Sequence, residues 1–190
     1  MAKAPKTASK KTVLKKTVNP KIDKASVSGR TSAPPIEIGI SDASRATISE
    51  GLNRVLADTF TLYLNTHNFH WNVTGPLFNS LHAMFMGQYT EMWNATDVIA
   101  ERVRALGFRA VGSYADYGRL SRVKDAPTEP IKALDMVRLL VIGHQTICVT
   151  LREVLRTADD AGDDPTVDML TQRLTTHEQY AWMLRTLLEE

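Results

Sequence analysis

The sequence predicts an all-α protein: a four-helix bundle over residues 41–190, with a long crossover between its second and third helices, behind a Lys-rich tail at 1–40. Three observations lead there. Apolar residues recur at three- and four-residue spacing over four long windows. Clusters of Gly and Pro divide those windows by a short, a long and a short connection. No window alternates with the two-residue period of a strand. A chain of 190 residues suits one domain with a real core and is too short for two comfortable ones.

The first helix begins at Ser41 and sets Ile48, Leu52, Val55, Leu56, Thr59, Leu62 and Tyr63 on one face. It should end near Val73, before Gly75-Pro76. A second helix runs from about Asn79 to Leu106, with Leu81, Phe85, Tyr89, Met92, Ile99, Val103 and Leu106 inward and Gly107 as its stop. So short a loop makes the two an antiparallel hairpin. Residues 107–129 hold Gly107, Gly112, Gly118 and Pro127, a length suited to a crossover with a short helix around Tyr114 to Leu120. Thr128-Glu129-Pro130 reads as the start of a third helix. Its stripe is Leu134, Val137, Val141, His144, Cys148, Leu151 and Leu155. The run Asp159 to Pro165 breaks the chain, and a fourth helix follows with Val167, Leu170, Leu174, His177, Ala181, Leu184 and Leu188 inward.

The net charge of +2 conceals an asymmetry. The first 35 residues carry eight lysines, Arg30 and only Asp23 as an acid, a charge of 9 − 1 = +8, so the rest sums to −6. With Pro5, Pro20, Pro34 and Pro35 and few apolar residues, this segment is expected to stay disordered. It reads as a basic arm for a polyanion, through Lys3, Lys6, Lys10, Lys11, Lys15, Lys16, Lys21 and Lys24. Binding of DNA through such an arm would be non-specific and salt-sensitive, with a log-log slope of at most about −8.

Cys148 is the lone cysteine, which excludes an intrachain disulfide and fits a reducing compartment such as the cytoplasm. The longest apolar runs, such as Leu139-Leu140-Val141-Ile142, are far short of a membrane span, and the N-terminus has no apolar signal-peptide stretch. The expected protein is soluble, unexported and free of any membrane.

Chemistry concentrates between His67 and Glu101: His67, His70, Trp71, His82, Asp97 and Glu101. Imidazole nitrogen with carboxylate oxygen is ligand chemistry for iron, zinc or manganese, and paired carboxylates also suit ferric iron. Asp97 and Glu101 share a helix face roughly 6 Å apart along the axis. His82 and Asp97 lie roughly 22 Å apart along the same helix, so one chain cannot close all four ligands on one ion. A two-fold axis would bring the carboxylates of one copy to the histidines of another, giving two equivalent sites per dimer.

The run His70-Trp71-Asn72-Val73-Thr74-Gly75, His82 twelve residues after His70, and Asp97-Val98-Ile99-Ala100-Glu101-Arg102 resemble the Dps family of bacterial miniferritins, from about residue 45 to the C-terminus. The resemblance implies a ferritin-like four-helix subunit of a twelve-membered shell. Such a shell oxidises ferrous iron at dimer interfaces, preferentially with hydrogen peroxide, and stores the ferric mineral. It also implies non-specific DNA binding through Lys-rich tails, hence a place on the nucleoid. By position, His70 and His82 would come from one subunit, Asp97 and Glu101 from its partner, and Trp71 would flank the site as a catalytic neighbour. The family's acidic residue four positions after the second histidine is Met86 here. A thioether is a soft, weak ligand for iron, so this position should hold iron poorly. True ferritins use Glu-x-x-His pairs inside each bundle, and no Glu here precedes a His at that spacing. An alternative function is a nucleoid-compacting protein with a vestigial iron site.

Other residues have plainer readings. Asp97 and Glu101 alone would be a solvated face, with Glu101 paired to Arg104. His67 favours packing or hydrogen bonding, His144 and His177 read as satisfied core histidines, and Met84, Met86 and Met92, like Trp93 and Trp182, as packing groups. Asp159, Asp160, Asp163, Asp164 and Asp168 either cap helix ends or, as the resemblance implies, gather around a pore of the shell.

Overall fold

The computed structural model describes residues 35–189. The Lys-rich segment, and with it every lysine assigned above to DNA, lies outside them. Among the described residues five helices are found: α1 (Asp42–Asn72), α2 (Phe78–Ala105), α3 (Tyr114–Leu120), α4 (Ala133–Asp160) and α5 (Asp164–Thr186). The compact unit that contains them begins at Ile36.

Local chemistry sets the helix ends. The Ser41 hydroxyl accepts the Ser44 N–H at 3.1 Å and the Ser113 hydroxyl accepts that of Asp116 at 3.2 Å, capping α1 and α3. At the end of α2, Gly107 takes φ +95°, which lets the Phe108 N–H reach the Val103 carbonyl at 3.2 Å. Helix α4 starts at Ala133, later than Thr128-Glu129-Pro130 suggested. Proline biases Glu129 away from helical backbone, and Lys132 is extended at φ −72°, ψ 152°. Ile131 packs against the core instead of opening a turn.

The inward stripes form one core, with Ile48, Leu52, Phe85, Ile99, Leu140 and Leu151 fully buried. Leu134 falls outside it at 36% exposure, because the late start of α4 leaves it on the first, outer turn. Asp58 meets Thr150, while Gly51 faces Val154 and Gly143 faces Leu62, so α1 and α4 are antiparallel. A Cβ on Gly51 or Gly143 would come within 2.8 Å or 2.5 Å of those side chains, so both glycines permit close approach. Arg102 with Asp163, and Glu91 with Arg173, join α2 to α5 in the same antiparallel sense. Hence α2 and α4 run in one direction, and residues 106–132 must return along the bundle.

Three polar side chains of α1 hold that return. The Asp58 carboxylate, wholly buried, accepts from the Arg122 N–H at 2.6 Å, the Thr150 hydroxyl at 2.7 Å and the Ser121 hydroxyl at 3.1 Å. Asn65 donates to the Lys124 carbonyl at 2.8 Å and accepts the Ala126 N–H at 2.9 Å. Asn53 treats Arg109 and Val111 in the same way, at 3.2 and 3.0 Å.

By length and composition α4 could cross a membrane, with a mean hydropathy of 1.4 over its most apolar window, which the short-run reading of the sequence did not register. In the bundle it packs its apolar face into the shared core and buries His144. Trp93 and Trp182, read above as packing residues, are 55% and 59% exposed on the single chain.

His144 and His177 are wholly buried and bonded Nδ1 to Nδ1 at 2.9 Å. Arg173 can only donate, so its contact at 3.3 Å makes His177 Nε2 an acceptor. His177 Nδ1–H therefore donates to His144 Nδ1, and His144 Nε2–H to Gln88 Oε1 at 3.4 Å. Burial, then the Arg173 charge, lowers the His144 pKa to about 3; burial, His144 and Arg173 push His177 well below the ordinary range.

Two predictions follow from this core. Asp58→Ala removes the acceptor of the Arg122 N–H and of the Thr150 and Ser121 hydroxyls and should lower the unfolding free energy by about 3 kcal/mol in denaturant titrations. Below about pH 6.5 the unfolded chain protonates both core histidines while the folded chain keeps them neutral. Stability should thus fall with pH through the 6.5–5 window by up to about 1.4 kcal/mol per unit per histidine. Unfolding curves that coincide at both ends of that window would contradict this assignment.

Candidate metal centre

The α1–α2 turn brings His70, on the last turn of α1, to His82, near the start of α2. His70 Nδ1 lies 2.8 Å from the His82 carbonyl, and His82 Nδ1 lies 2.9 Å from the His70 carbonyl. A carbonyl oxygen only accepts, so each Nδ1 carries the hydrogen and each Nε2 keeps its lone pair. The fold has thereby fixed both imidazoles in the tautomer a metal ligand needs. The rings stack with centroids 3.7 Å apart and planes 20° from parallel. Imidazole binds a metal in its plane at about 2.0–2.1 Å. An ion midway between such rings would stand about 1.8 Å out of each plane, so the two Nε2 atoms address two adjacent positions and do not converge on one.

Aromatic groups frame the pair. Phe78 stacks on His82 at 5.0 Å, and Tyr89 meets His70 edge-on at 5.1 Å. His67 lies flat on Tyr89 at 3.9 Å, within 3.3 Å of the Tyr63 hydroxyl, and Trp71 leans on it at 4.1 Å. Burial, then the neighbouring His70, holds the His67 pKa below the ordinary range. Its contacts match a packing group. Trp71 is 62% exposed, contacting His67 rather than closing over His70.

Asp97 and Glu101 are exposed, one turn apart, far down α2. Among the described residues neither has a side-chain hydrogen bond or ion pair; the expected Glu101–Arg104 pair is absent because Arg104 donates to the Phe108 carbonyl at 2.8 Å. Nor, among the described residues, do three or more His, Cys, Asp or Glu side chains come together as a metal site. The structure joins His70 to His82 and leaves both carboxylates apart from them. Met86, one turn past His82, is 48% exposed.

Of the five acids considered for a pore, Asp163 is corrected: it is wholly buried, its side chain caps α5 by accepting the Thr166 N–H at 3.2 Å, and it is ion-paired to Arg102. Asp159, Asp160, Asp164 and Asp168 are exposed around the α4–α5 turn. Arg102 also donates to the Thr166 hydroxyl at 2.8 Å, tying the helix that carries Glu101 to the start of α5. Sequence reasoning missed this tie, although an Arg directly after the second carboxylate and an acid opening the fourth helix were both visible.

Fold and site together define a ferritin-like protein, and residues 49–190 match the model of the ferritin-like domain. An uncharacterised low temperature-induced protein of Nostoc is 38% identical over 157 residues, covering 82% of this chain and 88% of its own. A DNA protection during starvation protein of Bacillus anthracis is 35% identical over 143 residues, covering 75% and 97%. The crystal structure of a Dps protein from Vibrio cholerae, described as belonging to the ferritin-like diiron-carboxylate proteins, superposes with a TM-score of 0.78 at 28% identity, over 84% of this chain and all of that one. The chain belongs to the Dps family.

The tautomer assignment is open to direct test. Neutron diffraction from crystals grown at alkaline pH should place deuterium on Nδ1 of both His70 and His82; deuterium on either Nε2 would mean that the lone pairs are not free for a metal.

Proposed function

We propose that this chain is a ferroxidase subunit of a Dps shell. Ferrous iron, the substrate, binds between two subunits, on His70 and His82 of one and Asp97 and Glu101 of the other. Two ferrous ions give two electrons to one hydrogen peroxide, whose O–O bond breaks to yield water without releasing hydroxyl radical, and ferric oxyhydroxide collects within a twelve-subunit shell. Asp159, Asp160, Asp164 and Asp168 would draw cations to a pore of that shell. The Lys-rich tails hold DNA without sequence preference, gaining avidity from their number, so the protein works on the cytoplasmic nucleoid.

The observation that carries this reading is the division of labour inside one chain. Two imidazoles are held with free Nε2 lone pairs, while two carboxylates stand unpaired roughly 22 Å down the same helix, too far to serve the same ion. Neutral nitrogen suits the entering ferrous ion, and carboxylates stabilise the charge added on oxidation.

Subunit mixing tests the shared site. His70→Ala and Asp97→Ala should each oxidise iron at the buffer rate, read by ferric absorbance after peroxide addition to anaerobically loaded protein. Chains refolded together in equal amounts should recover about a quarter of the wild-type rate, because half the dimers are mixed and each rebuilds one of two sites. A mixture as inactive as its components, or a single variant at the wild-type rate, would overturn the assignment.

One residue favours a second reading, a DNA-compacting protein with a weakened iron site. Met86 removes a carboxylate from the His82 position. Under that reading wild type oxidises iron no faster than buffer, Met86→Glu raises the rate strongly, and deleting residues 1–35 abolishes DNA retardation. Under the first reading the wild-type site is already active, and Met86→Glu changes its rate only modestly.

A further inference from the structure

The stacked rings divide the site into two metal positions, and the chain supplies these with unlike donors. Resting on the reading of His70 and His82 as ligands, we infer that the His82 position also serves as a soft-metal site, taking cuprous copper through His82 Nε2 and the Met86 thioether when iron does not fill it.

Met86 stands four residues after His82 on α2, so the two side chains leave adjacent turns of one face, with Cβ atoms about 5–6 Å apart. Three rotatable bonds let a methionine bring its sulfur to an ion already held by a neighbouring imidazole. Core filling within the single chain does not account for it. Met92 is wholly buried and Met84 packs against the core, whereas Met86 is 48% exposed beside an imidazole with a free lone pair.

Charge and softness agree. Thioether with imidazole favours Cu(I) over ferrous or ferric iron. An acid at position 86 would have supplied a negative charge for a di- or trivalent ion; methionine supplies none. The groups against His82 are the Phe78 and His70 rings, and Glu91, farther along α2, is occupied by Arg173.

The test is an anaerobic titration of the full-length oligomer with Cu(I) against a chromogenic cuprous chelator, in a Cys148→Ser background so that the only sulfur ligands left are thioethers. We expect one cuprous ion per chain, with a sulfur shell in the copper X-ray absorption spectrum. Met86→Leu, a near-isosteric change at an exposed position, should weaken binding by about tenfold or more and remove that shell. His82→Ala should lose the ion; His70→Ala should keep it, because the carbonyl that anchors His82 is backbone. Equal affinity in Met86→Leu, or absence of the sulfur shell from the parent, overturns the inference. Neither iron nor peroxide is present, so failure of the ferroxidase reading would show separately, as buffer-rate iron oxidation by a protein that still binds copper.

Discussion

A buried carboxylate on α1 is the central anchor of the return that closes the bundle. Because α2 and α4 run the same way, the chain must return along the bundle before α4 can begin, through a segment that is largely non-helical and so leaves many backbone N–H and carbonyl groups without a helical partner. Asp58 receives two N–H groups of that return and fixes them against α4 through Thr150. Buried N–H groups without an acceptor cost about 1–3 kcal/mol each, so the crossover is stable only where such acceptors stand. The same segment places Val111 and Tyr117 around a hollow shared with Trp93 and Asp97. The tether that completes the fold thus also shapes the surroundings of one site carboxylate.

Most of the helical frame was legible because it follows from burying apolar stripes. The turns at Gly75 and Gly162 and the short helix in the crossover fall where Gly and Pro predicted breaks. What escaped depended on tertiary partners. Asp58 lies between Val55 and Leu62 on the buried stripe of α1, and an acid in that place announces a buried acceptor without naming its donors. Pro130 signalled a helix start, but the extended Lys132 and the inward Ile131 delayed it, a choice made by core packing. Trp93 follows Met92 by one residue, about 100° around the helix, and so falls off the stripe of Leu81, Phe85, Met92 and Ile99.

For the site, residue types and spacings pointed to the candidate ligands and to the impossibility of closing them in one chain. The sequence could not reveal the crossed hydrogen bonds that fix both imidazoles, because these need the hairpin to bring two backbone carbonyls opposite two rings. Nor could it reveal that the His70 and His82 rings stack. The Arg102–Asp163 pair was hidden for a similar reason: α2 and α5 are neighbours only after the crossover has set the helix order.

The two histidine pairs show how hydrogen bonding, rather than residue type, decides where metal chemistry can occur. In the bundle interior every imidazole nitrogen is engaged: His177 Nε2 accepts from Arg173, its Nδ1–H serves His144, and His144 Nε2–H serves Gln88. No lone pair is free there, and a guanidinium beside His177 repels any cation. At the α1–α2 turn the backbone takes only the Nδ1 hydrogens and leaves both Nε2 lone pairs available. The interior pair therefore stabilises the bundle as neutral structure, and the imidazoles with lone pairs to spare stand at the α1–α2 turn.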